Sequence, residues 1–231
     1  SINKLGWWSA YDTDDFDVDE NNVVTEWLDK TDNHHDLQHV SGNDTTRSLI
    51  DGEGVAFNGS SSLINDDFNI GVGESYTLVF VFKKDTYPSQ SWLIDSRDVS
   101  SGRNTVYSNS AGDITTHRRA NLFPPEDDYF FEIATNNANA LGDKYILIIK
   151  FEETDERATS SISVHSNTEQ TFETVSLGSG EMDGITIGGL YNASPNYGLN
   201  GMIYEIIYFD GIITDTETTT IRDYLTTKWE I

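Results

Sequence analysis

Apolar residues alternate with polar ones along most of the chain, as they do in half-buried β-strands. Two segments, Tyr76–Lys83 and Tyr145–Phe151, are β-branched or aromatic almost throughout, which is typical of strands buried on both faces. A third segment, Gly201–Phe209, is apolar on both faces except at Glu205. Because glycine and acidic turns separate these segments, the pattern predicts many short antiparallel strands.

The period changes to that of an α-helix only near the end of the printed sequence. Thr214 and Glu217 have the spacing of a capping box, which marks a helix start. One helical face then carries the apolar side chains Ile221, Tyr224, Leu225 and Trp229. The pattern predicts a helix that packs this face against the strands and closes the domain.

Glu205 is the one charged residue in an otherwise apolar strand. A carboxylate in such a place needs a hydrogen-bond or charge partner, or it takes up a proton. We expect Glu205 to bond the backbone or Arg222 near the closing helix, in a structural role.

The strands predict one all-β domain that spans residues 1–231. No linker rich in proline, glycine or serine divides the chain, and no repeat of constant period is present. The first and the last segments are both rich in tryptophan. We therefore expect an antiparallel two-sheet jelly-roll sandwich with a short C-terminal helix.

Composition excludes several classes of partner. The chain has 14 Lys and Arg against 39 Asp and Glu, a net charge of −25, which repels nucleic acid and anionic membranes. No apolar run approaches the ~18–20 residues of a membrane span, so we expect no membrane insertion.

Cysteine is absent, which excludes disulfides and thiolate chemistry. Residues 1–11 lack the basic and apolar regions of a signal peptide, which does not exclude export.

An acidic segment near the start of the chain is a candidate metal site. Asp15, Asp17 and Asp19 alternate and Asn21 follows, which supplies the oxygen ligands that Ca²⁺ prefers. The segment departs from a calcium-binding EF-hand because Glu20 stands where a glycine is needed. Two interpretations remain open, a Ca²⁺ site and a solvated acidic loop.

The loop Tyr191–Tyr197 is the candidate glycan site. A sugar has an apolar face and a rim of hydroxyl groups, so Tyr191 or Tyr197 could stack while Asn192 and Asn196 bond the rim. Trp92 could join them from another loop. The alternative is ordinary loop packing.

The chain resembles the concanavalin A-like lectin/glucanase superfamily, in particular its laminin-G-like (LamG) branch of bacterial and phage proteins. The segments that carry the resemblance cover nearly the whole chain: Trp7–Ala10, Thr25–Lys30, Gly54–Gly59, Tyr76–Lys83, Ile187–Gly189, Gly201–Tyr208 and the helix that closes with Lys228 and Trp229. The resemblance implies two stacked sheets of six or seven strands each and a glycan-binding or adhesive role.

The sequence gives no catalytic motif. The Glu-x-Asp-x-x-Glu motif of the glucanase branch is missing, as are a Gly-x-Ser-x-Gly elbow and a phosphate-binding loop. We therefore expect no enzymatic activity.

The expected function is a lectin-like adhesion module for glycans or cell-surface polysaccharide, outside the cell or on a virion surface. The alternatives are a structural virion protein that contacts other virion proteins and, less favoured, a glycoside hydrolase.

Overall fold

Two antiparallel β-sheets and one α-helix make up the computed structural model. The structure describes all residues except 1–2, 41–48, 52–53, 72–73, 87–89, 98–101, 110–112, 121–132, 135–140, 154–156, 165–169, 176–181 and 191–196. The described strands are β1 Lys4–Ser9, β2 Phe16–Val18, β3 Val24–Trp27, β4 Leu37–His39, β5 Leu49–Asp51, β6 Gly54–Asn58, β7 Leu63–Ile70, β8 Tyr76–Lys84, β9 Gln90–Arg97, β10 Gly102–Asn109, β11 Ile114–Ala120, β12 Ile133–Ala134, β13 Lys144–Glu153, β14 Arg157–Val164, β15 Gln170–Val175, β16 Met182–Ile187 and β17 Asn200–Asp210.

The first sheet has eight strands and is organised around β17, the longest strand described. Its order is β15-β14-β13-β8-β17-β6-β5. One edge of β17 pairs with β8 along its length. The other edge is shared, because β6 pairs with Asn200–Ile203 and β1 pairs with Glu205–Phe209. The strand nearest the N-terminus therefore lies directly beside the last strand of the chain.

The second sheet has nine strands in the order β12-β11-β10-β9-β16-β7-β4-β3-β2. The pattern of apolar residues does not reveal its strands β2 and β4. Each has three residues and one buried apolar side chain, Phe16 in β2 and Leu37 in β4, so too few positions alternate to reveal a strand. Short strands of this kind depend on their neighbours in the sheet.

Aromatic side chains join the two sheets in the core. Phe68 of β7 lies with its ring centroid 5.8 Å from Trp8 of β1 and 5.0 Å from Tyr208 of β17. All three side chains are buried. Burial, with a smaller effect of Tyr76, raises the pKa of Tyr208 well above its ordinary value, so its phenol stays neutral.

The closing helix, α1 (Asp215–Trp229), begins at the predicted capping box. The Thr214 side chain accepts a hydrogen bond from the Glu217 backbone N–H, and the Glu217 carboxylate accepts one from the Thr214 backbone N–H. That backbone bond is the largest reason why the pKa of Glu217 is lowered. Leu225 and Trp229 are buried as predicted, whereas Tyr224 is 45% exposed and was wrongly expected to pack against the sheet.

A β-bulge in β17 changes which side chains face the helix. Ile203 pairs with Phe82 and Glu205 pairs with Val81, so Tyr204 has no partner on β8. Strict alternation would place Tyr204 and Glu205 on opposite faces. Instead both contact Trp229 of the helix, because a bulge lets neighbouring residues face the same side.

The fold class is confirmed, since the structure is a sandwich of two antiparallel sheets with a C-terminal helix. The strand number implied by the resemblance is wrong, because the sheets have eight and nine strands rather than six or seven. Strands β14 and β15 pair antiparallel, with Ser161 opposite Thr171. The assignment of residues 1–231 to one domain stays a prediction.

Lys84 is a buried cation that connects the two sheets. Its side chain is fully buried, and its Nζ donates a 2.5 Å hydrogen bond from β8 to the Ser108 hydroxyl of β10. Burial lowers the pKa of Lys84 to about 8, and the negative charge of Asp113 opposes part of that effect. Lys84 therefore loses its proton at a lower pH in the folded state than in the unfolded chain.

We predict that Lys84 makes stability rise with pH above about 8. Between its folded pKa of about 8 and its ordinary value of 10.5, the unfolded chain binds more protons than the folded one. Relative to Lys84→Met, the free energy of unfolding of the wild type should increase by on the order of 1–3 kcal/mol across that window. Urea unfolding at several pH values measures this, with Lys83→Met as the matched control. Equal pH slopes for the wild type and Lys84→Met would contradict the prediction.

Candidate functional site

An open cleft of about 800 Å³ lies between the N-terminal strand and the last turns of the helix. We call it the β1–α1 cleft. The residues that line it are Trp7, Tyr11, Asp12, Lys30, Asp223, Tyr224, Thr227, Lys228 and Glu230. A cavity of this size is within the range that holds small ligands.

Three aromatic side chains give the cleft its apolar surface. Trp7 comes from β1, Tyr11 from the residues just after it, and Tyr224 from the helix. Tyr11 is 57% exposed and Tyr224 is 45% exposed, although large aromatic residues are usually more buried. Trp7 is half-buried. The cleft therefore offers aromatic rings to an outside partner.

Beneath the cleft, the buried carboxylate of Glu205 binds three donors. Its Oε1 accepts a 2.8 Å hydrogen bond from Trp7 Nε1, and its Oε2 accepts a 2.7 Å bond from Trp229 Nε1. Lys228 Nζ lies 2.8 Å from the same Oε2. A buried charge is tolerated when it is paired and hydrogen-bonded in this way. Glu205 thus holds a strand tryptophan, a helix tryptophan and a helix lysine at once.

Lys228 lies at the centre of the aromatic residues. Its Nζ is 5.1 Å from the nearer ring centroid of Trp229, 5.2 Å from Tyr11 and 5.3 Å from Tyr224, distances at which cation–π attraction operates. It also donates a 2.8 Å hydrogen bond to the Ser9 hydroxyl. Burial lowers the pKa of Lys228, but hydrogen bonds and charge interactions with Glu205 and, to a smaller extent, Tyr224 outweigh it, so the pKa is raised overall. The ammonium is therefore a permanent part of the cleft wall.

Two further lysines lie next to Trp7. Lys4 Nζ is 3.6 Å from a ring centroid of the indole, and burial is the main reason why the pKa of Lys4 is lowered. Lys30 forms a 2.6 Å ion pair with Asp15. The carboxylates of Asp12 and Asp223 line the same cleft. Rings for stacking and charged groups for hydrogen bonding are what a polyhydroxylated ligand needs.

The expected partner of Glu205 was wrong. Arg222 donates its hydrogen bond to the Ser163 hydroxyl of β14, and the partners of Glu205 are Trp7, Trp229 and Lys228. Sequence spacing placed Arg222 on the helix but not the side of the sheet it reaches. Lys228, which lies nearly two helical turns after Arg222, is the residue that reaches Glu205 of β17.

The predicted glycan residues are described in part. Tyr191, Asn192 and Asn196 lie outside the described residues. Tyr197 is 40% exposed and its carbonyl accepts a 2.8 Å hydrogen bond from the Trp92 backbone N–H, so these two are brought together. Trp92 is half-buried. This glycan site stays a prediction.

The predicted calcium ligands have other partners in the structure. Asp15 is buried against Lys30, and one Asp19 oxygen accepts hydrogen bonds from the backbone N–H groups of Asn21 and Val23. Asp17 is exposed on β2. Among the described residues, no three histidine or carboxylate side chains come together in a way that could hold a metal ion. Calcium binding stays a prediction.

Comparison with known proteins gives structural similarity alone. No family model matches the chain, and no curated protein matches it either. The LamG assignment is therefore not confirmed, whereas a concanavalin-like sandwich agrees with the solved structures that are similar. No helix in the described part of the chain has the length and apolar character that a membrane span requires.

Three solved structures illustrate the similarity. Domain 4 of AbnA, a GH43 extracellular arabinanase from Geobacillus stearothermophilus, in complex with arabinotriose, has 12% identity and a TM-score of 0.59, covering 96% of this chain and 98% of that one. A GH54 α-L-arabinofuranosidase soaked with a cyclic sulfate inhibitor has 10% identity and a TM-score of 0.61, covering 89% and 51%. A Trypanosoma rangeli sialidase with sialic acid has 13% identity and a TM-score of 0.60, covering 94% and 32%.

These similarities define the chain as a β-sandwich of the kind found in glycoside hydrolases and sialidases. The chain spans about half of the GH54 structure and about a third of the sialidase. At 10–13% identity, the comparison shows the fold and not a shared activity. The expected function of an adhesion or virion-surface module is wrong, because the similar structures are parts of carbohydrate-active enzymes.

We predict that Glu205 is essential for stability. Replacing Glu205 with leucine would remove the acceptor of the Trp7 and Trp229 indole N–H groups and the ion-pair partner of Lys228. Breaking a buried pair in this way costs about 3–5 kcal/mol in free energy of unfolding. Urea unfolding measures the loss. Asp85→Asn is the control, because its exposed ion pair with Lys83 should contribute less than about 1 kcal/mol. A loss no larger than the control would contradict the assigned network.

The calcium prediction is tested by titration of the acidic segment. If Asp15, Asp17, Asp19 and Asn21 bind Ca²⁺, millimolar Ca²⁺ should release heat and raise the melting temperature, since binding to the native state stabilises it. Asp17→Asn should remove the effect, and Asp67→Asn, an exposed carboxylate of β7, should keep it. Absence of both heat and melting shift in the wild type would rule out the site.

Proposed function

We propose that the chain is a non-catalytic carbohydrate-binding domain that serves a carbohydrate-active enzyme, and that the saccharide lies in the β1–α1 cleft. The observation that carries the proposal is the exposure of Tyr11 and Tyr224 beside Trp7 in a cleft of about 800 Å³. Aromatic residues that a protein leaves exposed in a concave surface mark a place where a partner packs.

The chemistry of the cleft fits a sugar. Pyranose and furanose rings have C–H faces that pack on aromatic rings, and they have hydroxyl groups that need both donors and acceptors. Asp12 and Asp223 supply acceptors, and Lys30 supplies donors. The rings do not have to be ordered by the ligand, because Trp7 is already held by Glu205 and Tyr11 packs edge-on against Trp229 at 5.8 Å.

The similarity to domain 4 of AbnA supports a carbohydrate partner. That structure is matched over 98% of its length and is described as a complex with arabinotriose. Arabino-oligosaccharides are therefore the first ligands to test on this chain. We also place the chain outside the cell, where an arabinanase described as extracellular meets its polysaccharide.

The state of Glu205 supports a binding role for this residue rather than a catalytic one. Glycoside hydrolysis commonly uses two carboxyl groups on either side of the bond, about 5–9.5 Å apart, one of which exchanges a proton. Glu205 is fully buried and both of its oxygens already accept hydrogen bonds. A ligand in the cleft therefore has no direct access to this carboxylate. Its role is to hold the cleft wall.

Saccharide titration of single variants tests the proposal. Tyr11→Ala and Tyr224→Ala should each weaken binding of arabinotriose, or of the strongest ligand on an oligosaccharide array, by roughly 5- to 10-fold, because each removes one stacking ring. Isothermal titration calorimetry gives the dissociation constants. Both side chains are exposed, so the melting temperature should change little.

Tyr197→Ala is the matched control, since Tyr197 is a comparably exposed tyrosine that does not line the cleft. Loss of binding in Tyr197→Ala alone would move the site to the loop that the sequence indicated. Hydrolysis of a reducing-end-labelled oligosaccharide by the purified wild type would contradict the non-catalytic role.

A further inference from the structure

A small cavity of about 10 Å³ lies in the core between the two sheets. This volume is at the lower limit for one water molecule, which needs about 10–15 Å³. Much of the wall is apolar, with side chains from both sheets: Leu78, Ile94, Val106, Ile149 and Met182. None of the described residues that line the cavity is charged.

The side-chain amide of Asn104 is a polar group in this apolar wall. Asn104 lies on β10 and is 4% exposed, and neither its Nδ2 nor its Oδ1 has a hydrogen-bond partner within the protein. Its backbone N–H donates a 2.7 Å bond to the Ser96 hydroxyl. An unpaired buried amide destabilises a protein, because water bonds the same atoms in the unfolded chain. The cavity is the place from which a small molecule could bond Asn104.

Tyr208 of β17 brings a second polar group to the cavity from the other sheet. Its side chain is 1% exposed, and burial raises the pKa of Tyr208, so the phenol is neutral and can both donate and accept a hydrogen bond. Asn104 and Tyr208 make no direct hydrogen bond with each other. A molecule bonded to both would connect the two sheets.

The chemistry of the cavity selects its ligand. An asparagine amide offers two donor hydrogens and an acceptor oxygen, so it suits a ligand that both donates and accepts. An ion would be buried without an opposite charge, because the described lining residues are all uncharged. The volume excludes any molecule larger than water.

We propose that this cavity is a binding site for one water molecule, which bridges the Asn104 amide of β10 and the Tyr208 hydroxyl of β17. Thr116 of β11 also lines the cavity and supplies a further hydroxyl group, which gives the water the three partners that buried waters typically have. The site lies in the core and is independent of the proposed carbohydrate function. It adds a water-mediated link between the sheets to the direct bond from Lys84 to Ser108.

A high-resolution crystal structure of the wild-type protein tests the site directly. One solvent peak should lie within about 2.7–3.2 Å of the Asn104 amide and of the Tyr208 hydroxyl oxygen. The peak should be absent from Asn104→Leu, which has a similar volume and no polar atom in the side chain. A wild-type structure with no solvent peak between the two side chains would overturn the proposal, whether or not the variant folds.

Thermal unfolding tests the bridge in solution. Tyr208→Phe should lower the melting temperature by about 2–4 °C, because it removes one bond to the water. In the Asn104→Leu background the same change should lower it by less than half as much, since the water is already lost and the two side chains are coupled only through it.

Tyr145→Phe is the matched control, because Tyr145 is a buried tyrosine of β13 that does not line the cavity. Its effect on the melting temperature should be the same in both backgrounds. Equal effects of Tyr208→Phe in the two backgrounds would overturn the bridge. A rise in melting temperature in Asn104→Leu, with no change from Tyr208→Phe in the wild type, would show an unpaired amide and would also overturn it.

Discussion

One buried carboxylate determines how the two ends of the described chain meet. Glu205 lies in β17, yet its three donors come from β1 and from the end of α1. Because a buried charge must be neutralised, these three elements have one arrangement in which the network is complete. The position of the helix over the sheet, the orientation of Trp7 and the shape of the β1–α1 cleft all follow from that requirement.

Much of the scaffold was predictable from local patterns. The two largely apolar strands β8 and β13, the capping box at Thr214 and the sandwich architecture depend on local patterns of residue type, which a sequence displays directly. The bulge at Tyr204 was not predictable in this way. It depends on the register between β17 and β8, and register is a property of two distant segments. The partners of Glu205 were missed for the same reason.

Some residues of the candidate sites were likewise predictable from the sequence, and others were not. Trp92 and Tyr197 were identified by residue type, and the structure places them in contact. Tyr11 and Tyr224 were not identified, because one follows a strand and the other occupies a helical face that looks apolar. Their exposure depends on how the helix packs against the sheet, which the sequence does not display. The expected function was wrong as well, since the similar structures named above come from carbohydrate-active enzymes.

The contacts between β1 and α1 span most of the sequence, with Ser9 and Lys228 separated by 219 positions. Such distant pairs form late, because a long loop must close before they contribute. During synthesis on a ribosome, Trp7 would be made long before its partner Glu205, which lies 198 positions later in the sequence. Ligand binding in the cleft would then report that β1 and α1 have docked, since a chain that lacks Lys228 would retain its strands and still lack the site.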